Sequence, residues 1–458
     1  MRKRILTGIL TVMLAVMCAC GSQKATEDDM ETATGESSIE ETDVTENDTT
    51  SSDAQETENA IEADTEASEQ ESSEEMQEED NSWYDRMVKN SVKSTGNNYR
   101  IKKVIEKARN GEDVYIATIG GSVTEGAGAT IKQQGYAYQF AKAFAETYAA
   151  GDGSNIHFVN AGLGGTPSSL GVIRYDEDVE AELGTQADLI LIEFSVNDYM
   201  EVTGGRAYEA LIYDALSQDN EAAVMLVFAV FESKWNMQND YIPMGKHYDL
   251  PMVSIKNAIE VPVTFGYLTD EEFFADEYHP TTYGHTIMTD CIMKLLADID
   301  AEELEEKNPI PDAPYKSWNF ADMKMITRKT EGISIKEGSF TLTDNEVQNI
   351  WWDNTNSFPD NWKRDSSAGN DSFVMELTCK NLLLNCKNSG SSDFGTAEVY
   401  VDGKLVQTIE GRTDGGWNNS NVVMIIDEEK ATKHKVEIRM AKGQEDKSFT
   451  ILAIGYTQ

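Results

Sequence analysis

Ser122 stands behind two glycines at the end of an apolar run, in YIATIGGSVTEG from Tyr115 to Gly126. Glycines at such a point let the backbone turn tightly or let another group approach closely. The hydroxyl is therefore either a nucleophile presented at a strand end or an ordinary helix cap. A serine hydroxyl barely ionises at neutral pH, so as a nucleophile it needs an adjacent base, and the base needs an orienting group. The chain offers five histidines. His157 opens a predicted strand and falls at the wrong end of the sheet. His247 lies in a long segment after another strand, His434 lies in a β-rich region, and His285 sits inside a predicted helix as a packing or capping residue. His279, in ADEYHPTTYGH, has Asp276 three residues before it and Pro280 after it. Asp276 can accept the imidazole Nδ1 proton and leave Nε2 facing the serine, the role set of a catalytic triad. Alone, Asp-x-x-His more often marks a helix start; beside the serine turn it carries more weight.

Negative charge developing on a carbonyl oxygen requires fixed donors. Three candidates are the backbone N–H of Ser122, the N–H of Gly165 in AGLGGTPSSLG, and the side-chain amide of Asn197 in EFSVND. Taken singly, Gly165 reads as a loop glycine and Asn197 as a strand-end turn residue. Their occurrence together and in order favours the functional reading.

These residues need a frame. Near-continuous apolar runs, as in parallel strands covered on both faces, start at Val114, Ile156, Asp188, Ala222 and Val261. Helical patterns start near Ala137, Arg206, Val253 and Thr282. This alternation predicts a parallel sheet between helix layers, in which working residues gather at the carboxyl ends of the strands. Ser122 follows the first strand, the Gly165 loop the second, and Asn197 the third, so the three should meet at one sheet edge.

Pro309, Pro311 and Pro314 interrupt any continuing helix. Beyond them come short alternating runs separated by Gly, Asn and Asp turns, with VDGK as a hairpin signal. This predicts an all-β sandwich over residues 315–458, after an α/β unit over 83–305. The sandwich contains Trp318, Trp351, Trp352, Trp362 and Trp417. These rings are either core or exposed platforms suited to stacking on sugars, and WWDNTNSFPDNW is the best rim candidate, because adjacent residues in a strand point to opposite faces.

Taken in order, GGSVTEG, NAGLGGT, EFSVND and DEYHP resemble the four sequence blocks of the SGNH (GDSL-type) hydrolase superfamily, over roughly residues 90–300. The superfamily's Ser, Gly, Asn and His would be Ser122, Gly165, Asn197 and His279. Gly121 replaces the usual Asp before the serine, and Ser195 stands where a glycine usually precedes Val-Asn-Asp. The resemblance implies a flavodoxin-like three-layer α/β/α fold and ester hydrolysis by Ser122, Asp276 and His279 with neither cofactor nor metal. With a β-sandwich behind it, the chain is similar to two-domain SGNH carbohydrate esterases.

The N-terminus has the layout of a secretory signal: Arg2, Lys3 and Arg4, an apolar run from Ile5 to Met17, then CACGS. Ala19 before Cys20, followed by Gly21 and Ser22, resembles a bacterial lipoprotein cleavage site, so residues 1–22 are expected to be a lipoprotein signal with Cys20 lipidated. Residues 23–82 are almost all Glu, Asp, Thr, Ser, Ala and Gln and carry roughly half of the formal charge of −43. Such a segment cannot bury enough apolar surface to order itself, which makes it an expected disordered spacer holding the enzyme off the membrane. The acidity excludes nucleic acid as a partner, whose phosphates require a basic face. No zinc-type cysteine spacing and no disulfide framework occur, although Cys379 and Cys386 could pair across a hairpin.

The expected substrate is an acetylated polysaccharide or oligosaccharide, hydrolysed at the outer face of the cytoplasmic membrane. Three alternatives stay open at this point. They are a lipase or lysophospholipase, an O-acetylesterase of the cell's own envelope polymer, and a non-catalytic glycan-capturing lipoprotein.

Overall fold

The computed structural model describes residues 82–350 and 352–458; the signal, Cys20, residues 23–81 of the acidic segment and Trp351 lie outside the described residues. After a helical segment at 82–90, six strands form the first sheet: β1 (Val92–Ser94), β2 (Val114–Gly120), β3 (Ile156–Gly162), β4 (Leu189–Glu193), β5 (Ala223–Phe228) and β6 (Met252–Ser254). Their spatial order is β1-β6-β5-β4-β2-β3, parallel except for β1 at the edge. Taking the parallel strands in chain order, this is the 2-1-3-4-5 order of flavodoxin-like sheets, whose direction of winding reverses beside the first strand. Here that strand is β2, which leads directly into Ser122.

The central strands β4 and β5 are buried along their whole length, which is why they read as unbroken apolar runs. Helices cover both faces. The longest, Thr282–Ala301, starts where the Thr281 side chain accepts the N–H of Gly284 at 3.0 Å. That hydroxyl satisfies one of the orphan first-turn donors.

The run beginning at Val261 is not a strand. Ser254 caps a helix spanning Ile255–Phe265, and the fifth parallel strand is the three-residue β6 just before it. The buried residues Ile255, Ala258, Ile259 and Pro262 follow the i, i+3, i+4, i+7 spacing of one helix face, while Val261 and Phe265 are exposed. The long segment holding His247 contains a helix of its own, Gln238–His247, which that residue ends.

The C-terminal part is β7 (Lys324–Ile326), β8 (Ser334–Lys336), β9 (Asn349–Ile350), β10 (Thr355–Asn356), β11 (Trp362–Arg364), β12 (Phe373–Ser389), β13 (Thr396–Val401), β14 (Lys404–Glu410), β15 (Trp417–Met440) and β16 (Phe449–Thr457). β12 and β15 run through both layers of a sandwich. The first half of β12 pairs with β8 and with residues 432–438 of β15; the second half pairs with β16 and with residues 417–427 of β15. The register slips between Cys379 and Asn381, the bulge at which a strand passes from one sheet to the other.

Burial follows from this. Residues Phe373 to Cys379 alternate between buried and more exposed positions, as on a strand with one solvated face. In contrast, Leu382, Leu383 and Leu384 are all buried, because the second layer has a neighbour on each side. Leu382 and Leu384 face the sandwich interior, whereas Leu383 joins Val422, Leu452 and Ala453 in a core shared with Leu170, Ile173 and Phe194 of the α/β part. At one close approach a Cβ on Gly455 would come within 2.5 Å of Ile173 Cγ1. The two parts are thus packed through a common apolar layer. Cys379 and Cys386 are buried and unpaired; they lie on one strand, so no hairpin brings them together.

Candidate active site

Ser122 begins a single helical turn, Ser122–Glu125, immediately after β2. At the first position of a turn its backbone N–H has no intrahelical partner. Its Oγ lies 2.9 Å from His279 Nε2. The imidazole Nδ1 lies 3.0 Å from both carboxylate oxygens of Asp276. This fixes the Nδ1-protonated tautomer and leaves Nε2 to accept from the serine.

The turn carrying the histidine is itself pinned. Ala275 N–H donates to His279 O at 2.8 Å, Thr281 N–H to Phe273 O at 2.7 Å, and Glu232 N–H to Glu277 O at 3.1 Å. Asp276 Oδ1 also accepts the backbone N–H groups of Tyr278 at 2.8 Å and His279 at 3.0 Å. Burial alone would raise the Asp276 pKa. The hydrogen bond and charge of His279, together with those two amides, outweigh it and hold the carboxyl below its ordinary value.

Gly165 and Asn197 reach the same edge. A Cβ on Gly121 would stand 2.2 Å from Asn197 Oδ1, 2.5 Å from its Cγ and 2.7 Å from its Nδ2. Glycine at 121 leaves room for the Asn197 amide to lie against the chain entering Ser122 in this structure. Asn197 Oδ1 is buried without a hydrogen-bond partner among the described residues. In the Gly165 loop, a Cβ on Gly164 would be 3.7 Å from Ser122 Cβ, so this loop borders the nucleophile. Ser195 has no left-handed backbone, and its hydroxyl donates to Ala229 O at 3.1 Å. The position therefore does not require glycine.

Beneath these loops lie two buried carboxyls that the sequence reading did not single out. Glu193, at the end of β4, accepts from Thr124 Oγ1 at 3.1 Å, and burial pushes its carboxyl up to about 8. Asp198 accepts the Ser168 N–H at 2.7 Å and the Tyr241 hydroxyl at 2.5 Å, and burial pushes it up to about 7.

The remaining histidines are elsewhere. His157 pairs with Asp113 at 3.0 Å at the opposite end of the sheet. Buried His285 bridges Tyr136 N–H at 3.2 Å and Ala127 O at 3.1 Å, and burial pushes it down to about 4. This is a packing and bridging role. Among the described residues, no cluster of His, Cys, Asp or Glu is arranged to hold a metal ion.

Of the tryptophans, Trp362 is core, and Trp318 stacks on Tyr213 with centroids 4.4 Å apart. Trp352 and Trp417 reach the nucleophile's surroundings. Trp352 Nε1 donates to Glu125 O at 2.9 Å. Trp417 is 51% exposed, and its indole Cζ2 would meet a Cβ on Gly165 at 3.3 Å. Composition could mark these rings as candidates, but only the fold tells a rim ring from a core ring.

Comparison with known proteins agrees with this geometry. Residues 118–287 match the GDSL-like lipase/acylhydrolase family. Among solved structures, the chain is similar to a two-domain esterase active on acetylated mannans, at 26% identity and a TM-score of 0.71, covering 81% of this chain and 99% of that one. A structure of such an esterase co-crystallised with mannopentaose matches at 26% identity and a TM-score of 0.70, covering 81% and 98%. No curated protein sequence matches the chain.

Proposed function

We propose that this carboxylic ester hydrolase, whose residues 118–287 match the GDSL-like lipase/acylhydrolase family, removes O-acetyl groups from a polysaccharide or oligosaccharide of the mannan class. The observation that carries this reading is the contact chain Ser122–His279–Asp276, set beside two tryptophans that come from the β-sandwich.

The chemistry follows from the distances. Ser122 Oγ attacks the acetyl carbonyl as its proton passes to His279 Nε2. The imidazolium is stabilised by ionised Asp276, whose depressed pKa keeps it charged. The carbonyl oxygen, now an alkoxide, receives the N–H groups of Ser122 and Gly165 and the amide of Asn197. Collapse breaks the bond to the sugar oxygen, which takes the proton from His279. Water, losing its proton to the same nitrogen, attacks the acetyl-serine, and acetate leaves as the proton returns to Oγ.

An exposed indole over the oxyanion loop suits a flat pyranose face better than a mobile alkyl chain, which favours a glycan ester over a lipid. The similar esterase active on acetylated mannans supports the same substrate class. The test is acetate release from acetylated mannan, set against a series of nitrophenyl esters of increasing acyl length. Preference for long acyl chains, or full activity in Ser122→Ala, would refute the reading.

We further propose that Cys20 is lipidated, anchoring the enzyme at the outer face of the cytoplasmic membrane with the acidic segment as spacer. The support is the sequence around Cys20 and the composition of residues 23–82. Cell fractionation of Cys20→Ala should shift the protein from membrane to medium; unchanged membrane retention would refute the anchor.

A further inference from the structure

We propose that Gln348, a residue of the β-sandwich, is a positioning residue for the oxyanion hole of the α/β domain; the inference rests on the serine-esterase reading above. Gln348 is 4% exposed. Its Nε2 crosses between the two parts of the chain and donates to Gly164 O at 2.6 Å. Gly164 O and Gly165 N–H belong to one peptide unit, and the chain holds no cis peptide among the described residues. In a planar trans peptide the carbonyl and the N–H point in opposite directions. Holding the carbonyl toward Gln348 therefore fixes where the Gly165 N–H points, away from Gln348.

That peptide needs holding. It joins two glycines, and Gly165 has φ +67°, so the plane has little intrinsic reason to keep one orientation. The preceding unit is already pinned, because Gly164 N–H donates to Glu125 Oε2 at 2.8 Å. Gln348 supplies the second clamp. A hydrogen bond on the carbonyl also polarises the amide and makes its N–H a better donor to an alkoxide.

Gln348 is itself rigidly mounted. Its N–H donates to Asn418 O at 2.9 Å, its carbonyl accepts the Ser357 N–H at 3.2 Å, and its Oε1 accepts the Ser420 N–H at 3.3 Å. Asn418 directly follows Trp417, so the ring over Gly165 and the clamp behind Gly164 share one support. The sandwich thus contributes to the rate of the chemical step as well as to the surface beside it.

The test uses the full chain with Gln348→Glu and Gln348→Met, which keep the side chain's length but remove the donor. The substrate is p-nitrophenyl acetate, too small to span a glycan surface, with kcat expressed per site titrated by a fluorophosphonate. A fall in kcat of about 10- to 100-fold is expected, with KM within about twofold. Inhibition by phenylboronic acid, whose serine adduct places an oxygen in the oxyanion hole, should weaken in parallel. Wild-type kcat and boronate affinity in both variants would overturn the proposal. So would failure of both to fold, because the residue would then act through stability and not through rate. Active Ser122→Ala would instead overturn the underlying serine-esterase reading, whereas inactive Ser122→Ala beside fully active Gln348 variants would refute this proposal alone.

Discussion

Gly121→Ala adds one methyl group and should disable the enzyme almost as completely as removing an oxyanion donor. A Cβ there would stand 2.2 Å from Asn197 Oδ1, with Cγ and Nδ2 also inside 3 Å. Reaching ordinary contact at 3.4 Å requires the amide to move by about 1.2 Å. Displacements near 1 Å in a reacting constellation cost on the order of 100-fold in rate, and complete loss of one oxyanion donor costs about 100- to 1,000-fold, or about 2.7–4 kcal/mol. The expected loss in kcat is therefore about 100-fold, with little change in KM, because the donor acts on charge that exists only in the transition state. The assay is steady-state hydrolysis of p-nitrophenyl acetate by the wild type, Gly121→Ala, Asn197→Ala and the double variant. Since truncating Asn197 removes the atoms that clash, the double variant should be no slower than Asn197→Ala, a strongly non-additive cycle. Gly121→Ala with wild-type kcat, or losses that simply multiply, would refute the reasoning.

Further outcomes follow from the same geometry. Asp276→Asn should lower kcat by about 10⁴-fold with the fold intact, as expected when the tautomer-fixing partner is lost, and a pH–rate profile should show no recovery at any pH. Glu193 binds its proton more tightly when folded, so its contribution to stability is largest below about 4.5 and falls as pH rises toward about 8. Glu193→Gln should remove up to about 1.4 kcal/mol per pH unit from the slope of unfolding free energy across that window, read by denaturant titration at several pH values. Because Cys379 and Cys386 are buried thiols, reductant should leave the melting temperature unchanged, and iodoacetamide should label them only after unfolding. Trp417→Ala should raise KM for an acetylated mannan oligosaccharide far more than for p-nitrophenyl acetate.

The sheet, the serine turn and the histidine turn were legible because each rests on local pattern. Unbroken apolar runs mark β2, β4 and β5, and Ser122, Asn197 and His279 sit at punctuated ends of elements. The fifth parallel strand was misplaced because β6 is only three residues long, and the apolar helix following it holds enough β-branched residues to imitate a strand. Contacts between distant segments left no local trace. Nothing around Gln348 signals Gly164, nor around Trp417 signals Gly165, because each pair meets only when the sandwich packs on the α/β layer. Leu383 shows the partial exception. Three consecutive leucines in one strand signal burial on both faces, though not which element supplies the second cover.

The most direct test is mass spectrometry of the enzyme quenched with acid during turnover of an acetylated mannan oligosaccharide. The account predicts a transient acetyl group on the peptide containing Ser122, absent in Ser122→Ala, which should also lose nearly all acetate release. Acetate release without any acetylated serine, or an adduct confined to another residue, would contradict it.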